Sequence, residues 1–178
     1  MPTTLDESAR HAGGHQWAES RLFEILGGWV ATTPEPDVRL MFDRHSHHAA
    51  WRAREWWDRL PVLAEVDRST LCRAPRGPAV EAAERLAALE GTPVRMAGAY
   101  RFALPRLWAS YDRHSRLLAG AGEVADGSSW RTLGLVSPDL GSDWHQGETA
   151  LQEVLRQRAD IREANDALVA LEELLAAG

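Results

Sequence analysis

Apolar residues recur along this chain at intervals of three and four, the spacing of one helix face, and almost nowhere at intervals of two. Between His15 and Ala31 the rhythm is carried by Trp17, Leu22, Ile25, Leu26 and Trp29, which predicts a first helix that the run "TTPEP" ends. Pro36 and Asp37 suit the first turn of a second helix, which runs through "DRHSHHAAWRAREWWDRLP" and stops at its proline. Residues 62–78 hold too many breakers for a long helix, and the Ala-rich "AVEAAERLAALEG" then predicts a helix ended by Gly91. A long helical pattern starts at Thr92, with a kink or break expected at Pro105.

After the loop "AGEVADGSS", Leu133, Val136, Leu140, Trp144, Leu151 and Leu155 keep the helical period despite Pro138. The C-terminal "ADIREANDALVALEELLAAG" is amphipathic and either extends this helix or forms another. With no alternating stretch of useful length, the expected class is all-α, with core helices near 15–32, 36–59, 92–119 and 130–157. Residues 1–14, polar and glycine-containing, are expected as a flexible tail, and residues 15–178 as a single domain.

Composition narrows the function classes. Hydrophobic residues at 44% and charged residues at 26% are ordinary for a globular chain with a core. A net charge of −6 disfavours nucleic acid and anionic membranes, whose binding rests on positive charge. All 20 basic residues are arginine, which fits a coding bias and marks no site. Cys72 is the single cysteine, which excludes an internal disulfide and a cysteine-rich metal knuckle. Its neighbour Arg73 favours a lowered thiol pKa. The start lacks a signal-peptide pattern and no stretch of about 18 apolar residues occurs, so a cytoplasmic protein is expected.

Candidate chemistry concentrates on the second helix. His45, His48, Arg52 and Glu55 share one face, and His47, Trp51, Arg54 and Asp58 share the neighbouring one. If the first face points inward, His45 and His48 with Glu19 or Glu24 and Asp139 or Asp143 form a mixed nitrogen and oxygen set suited to Fe, Mn or Zn. The competing reading makes the same residues a structural polar network, with His48 and Glu55 tying the second helix to the first and fourth. Asp139 and Asp143 lie one turn apart on one face and suit ligand or acid–base roles. Gly147 allows a close helix approach, Ser128 or Ser129 suits an N-cap, and Arg131 suits a carboxylate partner. Eight tryptophans are expected mostly in the core, or else lining an apolar pocket for an aromatic or lipid-like ligand.

One order of features is distinctive. An acidic first helix precedes paired histidines before Trp and "RLP"; a long crossover, a helix ending "YDRH" and a helix opening "DGSSWRTLGLVSPDL" follow. This order resembles the ferritin-like superfamily of four-helix bundles over roughly residues 15–157. The resemblance implies an inward Glu on the first and third helices and Glu-x-x-His on the second and fourth, together holding two irons. Glu19 or Glu24 would stand for the first Glu. The second helix offers His45-x-x-His48, the third Tyr111, Asp112 and His114, and the fourth Leu140 and Asp143 when aligned on Asp139. Both Glu-x-x-His motifs therefore depart from the pattern.

The leading expectation is a ferritin-like bundle without the standard di-iron site, acting as a small-ligand-binding or assembly module. Its alternative is a non-haem Fe or Mn oxidoreductase with ligands among Glu19, Glu24, His45, His48, Asp139 and Asp143, and with Glu55, Tyr111, His114, Trp51 and Trp144 around them. Candidate partners are a small apolar or aromatic ligand and a second copy of the chain, with no nucleic acid and no membrane.

Overall fold

A computed structural model describes residues 4–62, 64, 66–75, 77–121 and 127–176. These are all-helical, with no strand among the described residues. Helix α1 spans Leu5–Val30 and α2 spans Pro36–Trp57. A 3-10 turn at Arg68–Leu71 and the short α3, Gly77–Ala87, occupy the connection to α4. Helix α4 is one rod in three segments, α-helical at Thr92–Ala97, π-helical at Gly98–Ala103 and α-helical again at Leu104–Ala121. Helices α5, Gly127–Val154, and α6, Arg158–Ala176, complete the chain.

Helix α1 begins ten residues before the expected start at His15, so residues 5–14 are helical where a tail was expected. The cause is a capping box. The Thr4 hydroxyl accepts from the Glu7 amide, the Glu7 carboxylate accepts from the Thr4 amide, and Asp6 and Glu7 add charge that suits a helix N-terminus. Helix α2 opens with Pro36 as expected and ends at Trp57. Gly91 does not end α3, which stops at Ala87. It adopts φ 78° as the residue before α4, a conformation that only glycine takes without cost. Pro105 does not break the helix, which continues to Ala121; the π hydrogen bonding just before it takes up the irregularity that a missing N–H imposes.

Ser128 and Ser129 are not caps. Both lie inside α5, which starts at Gly127 and continues through Pro138, and Arg131 on the same helix is exposed. The loop expected before this helix falls largely on residues 122–126, outside those described. The C-terminal amphipathic segment is a separate helix, α6. It packs back on α3 and α4 and buries Ala164 and Leu171.

One core joins α1, α2, α4 and α5, centred on Leu26, Phe42, Trp56, Met96, Tyr100 and Leu140. Helices α1 and α2 form the most extensive pair, and α5 packs against both α2 and α4. Two of the eight tryptophans, Trp29 and Trp56, are buried; Trp57, Trp108 and Trp144 pack against the core edge, and Trp51 and Trp130 are exposed. Two glycines permit close approaches that any side chain would block. A Cβ on Gly147 of α5 would lie 2.1 Å from the Tyr100 ring, and one on Gly13 of α1 would lie 2.0 Å from the Leu71 carbonyl oxygen. No helix of the described residues is long and apolar enough to cross a membrane.

Candidate functional site

The inward face of α2 is the one carrying His45, His48 and Arg52, while His47, Trp51, Arg54 and Asp58 face outward. Spacings of three and seven place these inward groups one above another along the helix. At the centre is Arg52, 0% exposed, among carboxylates from two other helices. Its Nε donates to Glu19 Oε1 of α1 at 2.7 Å, and one Nη donates to Asp139 Oδ2 and Asp143 Oδ2 of α5 at 2.6 and 2.8 Å. Asp139 and Asp143 stand one turn apart on α5, so a single planar fork bridges both. Burial works against the guanidinium charge, but Glu19 and Asp143 outweigh it and hold the proton more firmly than on an ordinary arginine.

Hydrogen bonds extend from this centre in two directions. Toward α4, the Tyr111 hydroxyl donates to Glu19 Oε1 at 2.6 Å, and Trp56 Nε1 donates to that hydroxyl at 2.9 Å. Toward the surface, His48 Nδ1 donates to Asp143 Oδ1 at 2.7 Å. His45 Nδ1 is hydrogen-bonded to the Tyr100 hydroxyl at 2.9 Å, and its Nε2 lies 3.5 Å from Asp143 Oδ1. Three buried polar atoms of the set make no hydrogen bond to the described residues: Glu19 Oε2, the second Nη of Arg52 and His45 Nε2.

Desolvation shapes the titration of these groups. Burial raises the Glu19 carboxyl, with Arg52 opposing it. Burial, and then the Glu19 charge, push the Tyr111 hydroxyl well above its ordinary value, so it stays a donor. Burial also raises Tyr100 and lowers His45; for His45 the pull of Asp143 and, more weakly, of Gln146 opposes it. At Cys72, burial raises the thiol and outweighs the charge of Arg68, so the shift is opposite to the lowering expected from Arg73.

Of the sequence candidates, Glu19, His45, His48, Asp139 and Asp143 come together, with Tyr111 beside Glu19. Glu24 does not. It sits on the outer side of α1, exposed and paired with Arg21. Glu55 is half-buried and outside this hydrogen-bonded set, and Trp51 is exposed. His114 does not reach the Arg52 carboxylates; it is hydrogen-bonded to His15 at 3.1 Å and stacked on His11 and, on the far side of the network, on Trp56. Trp144 leans on Trp108 and lines a groove of about 590 Å³ with Tyr100, Arg101, Gly141 and Glu148.

The residue that sequence reasoning undervalued is Arg52, which stood only as a member of a stripe. Its available signal was its position between His48 and Glu55 on the histidine face, where a charged residue has to find buried partners.

A dinuclear iron centre does not fit these donors. The space between Glu19 and Asp143 holds a guanidinium, the carboxylate on the inward face of α2, Glu55, is outside the hydrogen-bonded set, Tyr111 faces Glu19 from α4, and Leu140 is a core residue. Comparison with protein-family models, with curated proteins and with solved structures returns no match for this chain.

Proposed function

We propose that this chain is a ferritin-like helical bundle in which an arginine has taken the place of the metal pair, and that it works as a binding module for a small aromatic or apolar ligand. The observation that carries this reading is Arg52, fully buried and donating to Glu19, Asp139 and Asp143. A guanidinium neutralises carboxylates as a metal would, but it needs no cofactor to fold and offers no open coordination position or redox change. A dinuclear Fe or Mn oxidoreductase on the same scaffold would need both oxygens of these carboxylates, and Arg52 already holds one of each. The groove beside Trp144, with the Arg101 and Glu148 ion pair at 2.7 Å along it, supplies a flat apolar wall and a polar edge for the ligand.

The test uses protein treated with a strong chelator and dialysed. Its helicity and melting temperature are expected to equal those of untreated protein, and it should bind the fluorescent probe 1-anilinonaphthalene-8-sulfonate saturably, with Trp144→Ala weakening that binding. Unfolding on chelation that iron reverses would overturn the metal-free reading. Saturable probe binding unchanged in Trp144→Ala, or none at all, would remove the groove from it.

A further inference from the structure

Arg52 does not use every carboxylate oxygen of its network. One Nη takes Oδ2 of both Asp139 and Asp143, leaving the other oxygen of each directed elsewhere. Asp143 Oδ1 faces His48 Nδ1, and ligand atoms of His48, Asp139 and Asp143 all lie within 4.8 Å of one another. Ligands of a tetrahedral ion at about 2.1 Å lie about 3.4 Å apart, so the His48 and Asp143 atoms open from 2.7 Å and the wider pairs draw in for the trio to share one ion. Charge points the same way. Arg52 supplies one positive charge against the three carboxylates of Glu19, Asp139 and Asp143.

A second observation is independent of the acidic pair. His45 is 1% exposed, its Nδ1 is fixed by Tyr100, and its Nε2 lies 3.5 Å from Asp143 Oδ1 without a hydrogen bond to the described residues. Ligating carboxylates are themselves held by outer-shell donors, and a buried imidazole anchored at Nδ1 with Nε2 beside Asp143 is placed to be one. The trio also has access to solvent, because the His48 and Asp139 side chains are 37% and 30% exposed while Asp143 is buried.

We infer that the mouth of the network is a site for one divalent first-row cation, held by His48, Asp139 and Asp143 with His45 beside them. The ion replaces the proton shared between His48 Nδ1 and Asp143 Oδ1, and Arg52 stays in place, clamping the far oxygens of both aspartates. Imidazole nitrogen with two carboxylates suits Zn²⁺, Co²⁺, Mn²⁺ or Fe²⁺ and is a poor match for a purely oxygen-seeking ion. The site is mononuclear and is not needed for folding, so it goes beyond the proposed binding role and stands or falls separately from it.

The experiment is titration of the full chain, stripped with chelator, with Co²⁺ followed by its visible absorption and with Zn²⁺ by calorimetry. Wild type is expected to take up one ion per chain, with the absorption of a nitrogen and oxygen site. His48→Ala and Asp139→Asn, both at the half-exposed edge, are expected to weaken binding by about tenfold or more while circular dichroism confirms an unchanged fold. No saturable uptake by folded wild-type protein, or uptake unaltered in both variants, would overturn the site. Either failure leaves the metal-free fold untouched, whereas unfolding of the stripped wild type would count against that fold and not against the mouth site.

Discussion

At the scale of single residues, Arg52 decides the character of the interior. Its guanidinium has exchanged water for three carboxylates, and a charge set of this kind is costly to break because removing one partner strands the others. Arg52→Met is therefore expected to lower unfolding free energy in urea by about 3–5 kcal/mol, with Glu19 and Asp143 left buried and uncompensated. Arg52→Lys should recover only part of the loss, since an ammonium is a point charge that cannot span Glu19 and the two aspartates as a planar fork does. A loss under about 1 kcal/mol for Arg52→Met would mean the carboxylates are reached by solvent and the network is peripheral. Periodicity placed Arg52 on the correct face with His45 and His48. Its partners lie 33, 87 and 91 residues away, beyond any local pattern.

At the scale of elements, the helix seams depend on where small residues fall. Helix α5 approaches α4 closely at Gly147, and a methyl group there would meet the Tyr100 ring at 2.1 Å. Tyr100 cannot yield easily, because it is fully buried and its hydroxyl is tied to His45. Gly147→Ala should destabilise by about 1–3 kcal/mol through overpacking, although alanine favours helix over glycine when nothing else intervenes. A stabilised variant in thermal unfolding would show that the seam can widen. The value of Gly147 as a close-approach point was legible in the sequence, whereas its partner was not. The early start of α1 was also written in the chain, as Thr4 and Glu7 three residues apart, a capping signal that hydrophobic periodicity alone passes over.

At the scale of the whole molecule, buried histidines make stability depend on pH. His15, at 4% exposure, is lowered well below the ordinary value of 6.5 by burial, then by His114 and His11, and burial likewise lowers His11 and His45. A histidine with a depressed folded pKa binds a proton more readily once the chain unfolds. Its contribution is therefore intact above 6.5 and is lost as pH falls below it. Melting temperature is expected to fall between pH 7.5 and 5.5, and more steeply in wild type than in His15→Gln. Glu19, raised by burial, acts in the opposite sense, so the difference between the two proteins isolates the histidine. Parallel profiles would show that His15 titrates as it does in the unfolded chain.

The sequence by itself determined the helical class, the approximate places of the four core helices and the pool of groups from which the site is drawn. Each of these follows from residues a few positions apart, where helical spacing, proline and capping chemistry act. Only tertiary structure chose Glu19 over Glu24, turned the His45 and His48 face inward, set Tyr111 against Glu19 and made Arg52 the central cation. The hydrogen bonds those choices create span 33 to 95 residues, from Arg52 with Glu19 to His48 with Asp143. Whether a buried charge finds its partner depends on how helices pack across that separation, and local spacing carries no record of it.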